Sequence, residues 1–266
     1  MTLLHTLERG TGPRVVVLLH SGGMSSRQWR GLMDVLSPTF RVIAVDFLGS
    51  GRSPPWRDGT PFELATEVDA VLESVPTDAP VHFVGHSYGA SIALQIAARR
   101  PDLVASLALY EPVVLGLVRE AGDEDALAEL RTLDATLTSE GDAAGGTEPW
   151  LRGFVDYWSG RGAWDSLPPP SRAGFLAAGA KVFCEVRALL GDRTPSAHYR
   201  RLTMPTLLMS GARSPIAERR AMQRLAEAMP SAIVRVFEAA GHMGPLTHMT
   251  AVNEAIAAHL EASRSE

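Results

Sequence analysis

A serine hydroxyl does nucleophilic chemistry only when a neighbouring base takes its proton and a third group orients that base. In this 266-residue chain the serine best placed for such activation is Ser87, in Gly85-His86-Ser87-Tyr88-Gly89. The stretch before it, Pro80 to Val84, has the β-branched and aromatic bias of a strand. The stretch after it, Ala90 to Arg100, carries Ile92/Ile96 and Ala93/Ala97 at helical spacing and stops at Pro101. The pentapeptide therefore lies on a sharp strand-to-helix turn. Such a turn forces its middle residue into strained backbone geometry, and small residues on either side relieve the crowding. The hydroxyl is thrust out above the carboxyl end of a sheet. The following helix aims its amino terminus at that place, which favours developing negative charge.

The base should be a histidine on a loop leaving a later strand. Ala239-Ala240-Gly241-His242-Met243-Gly244-Pro245 follows the last strand directly, and its small residues allow close approach. His242 is the expected general base. His5, His82, His198, His248 and His259 fall on helices, strands or the helical middle of the chain and read as structural. His86 points the wrong way along the turn and reads as packed.

The elements that must position these groups follow from the apolar pattern. Leu3 to Glu8 reads as an edge strand. Arg14 to Leu19 is a continuous apolar run, as in a parallel strand buried on both faces. It ends at His20-Ser21-Gly22-Gly23-Met24-Ser25-Ser26, where Ser25 or Ser26 is the expected cap of a helix carrying Trp29, Leu32, Met33 and Leu36. Phe40 to Phe47 is the next buried strand and Phe62 to Val75 the next helix. After the Ser87 helix, Leu103 to Tyr110 is a strand ending at Glu111-Pro112.

From Pro112 to about Thr203 the alternation stops and the signals are mostly helical. Trp150, Phe154, Tyr157 and Trp158 share one face there. Met204 to Ser210 resumes as a strand, Ala217 to Met229 as a helix, Ile233 to Phe237 as a strand, and Leu246 to Ala262 as the closing helix. The expected architecture is α/β: a mostly parallel sheet flanked by helices, residues 1–111 and 204–266, with a helical lid, 112–203, inserted. Ligands of such sheets bind at the carboxyl ends of the strands.

Composition narrows the function. The length suits one large domain, or one with an insertion, and 45% apolar residues suffice for its core. A net charge of −5 with no basic block argues against nucleic acid. No apolar run approaches the ~20 residues that span a bilayer, and the amino terminus has no leader pattern. The expectation is a soluble, cytoplasmic protein. A single cysteine, Cys184, excludes an internal disulfide framework and reads as a small buried apolar residue. There is no His-Glu-x-x-His or Cys/His cluster, and Gly49-Ser50-Gly51 lacks the Lys-Ser/Thr ending of a phosphate loop. Neither metal nor cofactor is expected.

Ser87 in its turn, the loop from His20, the turn from Asp46 and the late Gly241-His242 together resemble the α/β-hydrolase fold, and within it the smaller lidded esterases and related hydrolases. The resemblance runs from about Arg14 to Leu260, the lid excepted. In that family the acid usually sits just past the strand that follows the lid. Ser214 stands there, in Met209-Ser210-Gly211-Ala212-Arg213-Ser214-Pro215, and a Ser cannot stabilise an imidazolium by charge. Other members carry the acid at the end of the strand after the nucleophile helix. The resemblance therefore implies Glu111 as the third member, with Glu218 as fallback. It also implies an oxyanion site of two backbone N–H groups, from Tyr88 and from Gly22. Ser21 replaces the Gly that often follows the loop histidine, and Gly22 brings no side chain to the donor place.

The implied activity is hydrolysis of small to medium apolar or aromatic carboxylic esters through an acyl-enzyme. Activity should rise with pH through roughly 6 to 7.5, because the base must be neutral. The same three residues also suit carbon–carbon cleavage of a β-diketone, or lactonase, thioesterase, amidase or perhydrolase chemistry. A binding protein on a hydrolase scaffold is the reading from another class. Trp150, Phe154, Tyr157, Trp158 and Trp164 are candidates to line the substrate pocket, or else to glue the lid to the main domain.

Overall fold

Continuous apolar runs form strands that need cover on both faces. The computed structural model describes residues 3–56, 62–138 and 145–263, and seven strands are found among them. These are β1 (Thr6–Arg9), β2 (Arg14–Leu19), β3 (Phe40–Val45), β4 (Val81–His86), β5 (Val104–Tyr110), β6 (Thr206–Gly211) and β7 (Ile233–Phe237). They make one sheet in the order β1-β3-β2-β4-β5-β6-β7. Only β1 is antiparallel to its neighbour. The other pairings are parallel. Every residue of β4 and of β6 is buried.

Helices α1 (Arg30–Leu36), α2 (Leu64–Ser74) and α3 (Tyr88–Arg99) alternate with the first strands. Between β5 and β6 run α4 (Leu115–Ala121), α5 (Glu124–Thr138), α6 (Glu148–Ser159), α7 (Ala163–Ser166), α8 (Pro169–Leu190) and α9 (Ser196–Tyr199). Residues 139–144 of that helical stretch lie outside the described residues. Then come α10 (Ile216–Ala228), the short α11 (Gly244–Thr247) and α12 (Met249–Ala262). On one sheet face, Val17 and Leu19 pack with Val71 of α2, Ile92 and Ile96 of α3 and Leu225 of α10. On the other, Val16 and Leu18 pack with Leu32 and Met33 of α1 and Ile256 and Leu260 of α12. The expected α/β architecture, a mostly parallel sheet with helices on both faces, is borne out. No helix among the described residues is long and apolar enough to cross a membrane.

One local expectation is corrected. Neither Ser25 nor Ser26 caps the helical turn before α1 with its side chain. Asp46 does that work from the end of β3: its Oδ1 accepts the Ser26 N–H at 2.7 Å, and its Oδ2 accepts the Arg52 N–H at 3.0 Å. An ionised carboxylate makes stronger bonds to backbone donors than a hydroxyl. The residue thus ties the loop after β2 to the turn after β3.

Candidate active site

Ser87 sits between β4 and α3 with φ 54° and ψ −119°, a backbone region that L-residues rarely occupy. The flanking glycines make that turn possible. A Cβ on Gly85 would run into the backbone of Ala90, and one on Gly89 into the carbonyls of Leu19 and His20. The Ser87 N–H donates to Tyr110 O at 2.9 Å, which anchors the turn to β5.

His242 reaches this serine from the loop after β7. Its Nε2 lies 2.9 Å from Ser87 Oγ, and its Nδ1 lies 2.7 Å from Glu111 Oε2. Glu111 follows β5 directly and is the other non-glycine residue with positive φ among those described, at 46°. Its second oxygen, Oε1, accepts the Gly211 N–H at 2.7 Å and the Ser214 hydroxyl at 2.6 Å. Glu111 is fully buried, and His242 nearly so. Each carboxylate oxygen is therefore occupied, as a buried charge requires.

Two buried histidines outside the expected trio hold this arrangement. His86, expected to be merely packed, is a strut. Its Nε2 donates to His242 O at 2.8 Å, and its Nδ1 accepts from Gln28 Nε2 at 3.0 Å. Burial and the neighbouring His242 hold His86 well below the usual histidine range, so the ring is neutral and its partners fix the tautomer. Gln28 Oε1 in turn accepts the Ser21 N–H at 3.0 Å. His20 holds the same loop from its other side. Its Nδ1 donates to Ser21 O at 2.7 Å and its Nε2 accepts the Phe47 N–H at 3.1 Å. Burial lowers His20 to about 4.

With Ser21 N–H committed to Gln28, the loop presents Gly22 to the serine. The Gly22 and Tyr88 N–H groups donate to no protein acceptor among the described residues. Two free donors beside a serine at a helix amino terminus can receive an oxyanion. No group of three or more His, Cys, Asp or Glu among the described residues could hold a metal ion.

A cavity opens on Ser87 and His242, lined on one side by Gly22 and Tyr88 and on the other by the helices between β5 and β6. Phe154, Tyr157 and Trp158 of α6 line it. Trp158 stacks on the His242 ring, with centroids 4.0 Å apart and planes 29° apart. The Tyr157 hydroxyl donates to Glu129 Oε1 at 2.9 Å. Trp150 and Trp164 do not line it, which corrects their expected place in the pocket. Both are buried behind the cavity wall, in a cluster with Leu151, Val155 and Val182. Trp150 faces Phe154 and Phe183. A helix packed between two others has two apolar faces, and only one of α6's turns to the cavity.

Residues 14–249 match the family described as alpha/beta hydrolase fold. The chain belongs to the α/β-hydrolase fold family. It is 32% identical to a pimeloyl-[acyl-carrier protein] methyl ester esterase of Methylococcus capsulatus, over 90% of this chain and 91% of that one. The solved enol-lactonase of Burkholderia xenovorans superposes with a TM-score of 0.72 at 19% identity, covering 97% of this chain and 96% of that one. A meta-cleavage product hydrolase of Pseudomonas fluorescens does so with 0.74 at 18% identity, over 99% and 96%. At such identities the two structures share the fold.

Within this α/β-hydrolase fold the acid question turns on three residues. Ser214, at the common acid position, donates to Glu111 instead of facing His242. Glu218, the fallback, is fully buried on the first turn of α10, and neither of its oxygens has a hydrogen-bond partner. Burial first, then Glu111 and Glu129, push its carboxyl well above the usual range. A carboxyl raised in the folded state binds its proton more tightly there than in the unfolded chain. Stability is then lost as pH rises above the unfolded value of about 4.3, and no loss exists below it. Glu218→Gln carries no titrating group. Its Tm advantage over the wild type should widen between pH 4 and pH 8, by about 3 °C or more. Thermal melts across that range measure it, and a gap that stays flat would show Glu218 ionised at no cost.

Proposed function

We propose that the protein is a serine hydrolase of carboxylic esters. The observation that carries this reading is the unbroken chain from Ser87 Oγ through His242 to Glu111, at 2.9 and 2.7 Å. Ser87 Oγ attacks the carbonyl carbon as its proton passes to His242 Nε2. Glu111 holds the imidazole by Nδ1–H and stabilises the positive ring that forms. The Gly22 and Tyr88 N–H groups receive the oxyanion. The alcohol leaves with the proton from Nε2. Water then enters, gives a proton to the same nitrogen and attacks the acyl carbon, and Ser87 regains its hydrogen as the acid departs.

Residues 112–203 form the lid on a core of 1–111 and 204–266 in this reading. Trp158 then covers the base from the lid side and screens it from bulk water. The substrate is a small to medium apolar or aromatic ester, in keeping with the leucines, valines and aromatics around Ser87. The esterase from Methylococcus capsulatus, alike over nine tenths of both chains, supports an ester bond over a carbon–carbon bond.

The expected result is covalent labelling of Ser87 by a fluorophosphonate probe, together with hydrolysis of p-nitrophenyl esters somewhere between acetate and decanoate. An unlabelled Ser87 would leave a binding protein. Labelling without ester turnover, and with cleavage of a β-diketone, would move the reaction to a carbon–carbon bond.

A further inference from the structure

Outside the serine, histidine and glutamate already assigned, the cavity wall holds one more ionisable group whose bonding is incomplete. Glu185, on α8, is 2% exposed and lines the cavity. Its Oε1 accepts from Lys181 Nζ at 2.7 Å, but its Oε2 has no hydrogen-bond partner. That oxygen lies 2.9 Å from where a Cβ on Gly22 would stand, so it faces the loop beside the nucleophile. The cavity's tyrosines offer no second polar anchor: Tyr88 donates to Glu67 and Tyr157 to Glu129.

The carboxyl is held rigidly. Lys181 Nζ also bonds Glu67 Oε2 at 2.6 Å, and Glu67 Oε1 accepts the Leu48 N–H at 2.9 Å. The Tyr88 hydroxyl donates to Glu67 Oε2 at 2.9 Å, the oxygen that Lys181 also bonds. The chain Glu185–Lys181–Glu67–Tyr88 therefore runs from the lid to the expected oxyanion site. A buried polar atom left without a partner is costly, and native structures rarely keep one without a reason. Here the atom lies against Gly22, and both residues line the cavity a substrate enters.

We propose that Glu185 is the specificity-determining residue of the cavity, hydrogen-bonding a hydroxyl on the acyl part of the substrate one or two carbons from the scissile carbonyl. This rests on the ester-hydrolase reading above. The ligand chemistry follows from the charges. Two glutamates against one lysine disfavour an anionic acyl group, and Lys181 already occupies the place a cationic group would take. A hydroxyl both donates and accepts, so it satisfies the carboxyl in either protonation state. Burial pushes the Glu185 carboxyl up, with Lys181 opposing and Glu67 adding to the shift.

The test compares the methyl esters of 2-hydroxybutyrate and 3-hydroxybutyrate with methyl butyrate, by pH-stat, in wild type, E185Q and E185M. Wild type should favour one hydroxylated ester in kcat/KM by about ten- to a hundredfold, the effect of leaving a buried polar group unpaired with the plain ester. E185M should abolish that ratio, and E185Q, which keeps the Lys181 contact, should reduce it. The ratio is read within one preparation, so a loss of folded protein does not move it. Equal kcat/KM for all three esters in wild type, or a preference that survives in E185M, would overturn the role of Glu185 and leave the ester reading standing. No hydrolysis of any ester, with Ser87 unlabelled by fluorophosphonate, would overturn the ester reading and this inference with it.

Discussion

Ser87→Ala should lower kcat on the best ester by about 10⁶-fold and leave the fold intact. The size follows from the chain of contacts. Without Oγ, His242 Nε2 has no proton to take, and Glu111 orients a base with nothing to act on. Removing the nucleophile or the base of such a unit costs about as much as removing all of it. What survives comes from the Gly22 and Tyr88 donors and from binding. The substitution also separates chemistry from stability. Alanine inherits the φ of 54° and keeps the strain, whereas glycine relieves it. Ser87→Gly should therefore be as inactive as Ser87→Ala and more stable by about 1 kcal/mol. Burst and steady-state kinetics with paired melts measure both. A Ser87→Ala protein with the wild-type rate would remove Ser87 from the reaction.

The strands and the Ser87 turn were legible because their signals are local. Val15 to Leu19 is apolar throughout since β2 is covered on both faces, and Gly85 and Gly89 are small because backbone passes against them. His242 was legible from the small residues around it. Glu111 was reached by a departure: the Ser at 214 pushed the acid to another strand end, and the structure brings Glu111 and Ser214 together at 2.6 Å. What stayed hidden depends on partners remote in the chain. His86 is a strut only because Gln28 and the His242 carbonyl meet it, 58 and 156 residues away. Lys181 and Glu185 form an i,i+4 pair that the sequence shows, but Glu67, 114 residues before Lys181, makes it a buried triad. The α6 aromatics carried one ambiguous pattern, and packing divided them: Phe154, Tyr157 and Trp158 to the cavity, Trp150 to the cluster with α8.

Glu111→Gln should cut kcat by about 10⁴-fold while the protein still folds. Gln has the same shape, but one of its two terminal atoms is a donor. If the amide nitrogen faces His242, it forces the ring into the tautomer with the hydrogen on Nε2, which cannot accept from Ser87. If it turns the other way, it meets the Gly211 N–H and the Ser214 hydroxyl that now bond Oε1 at 2.7 and 2.6 Å. Either way the negative charge that steadies the imidazolium is gone. Ser214 supplies a second arm. Its side chain already touches the Glu111 carboxylate, so a carboxylate on residue 214 enters the space that Glu111 leaves. Glu111→Ala combined with Ser214→Asp should then recover part of the loss that Glu111→Ala shows alone. Recovery would mean that the fold accepts the acid from either strand end and that His242 requires only a buried carboxylate at Nδ1. An unchanged kcat in Glu111→Gln would show that His242 works without its carboxylate partner, and would make the Ser214 contact a matter of stability alone.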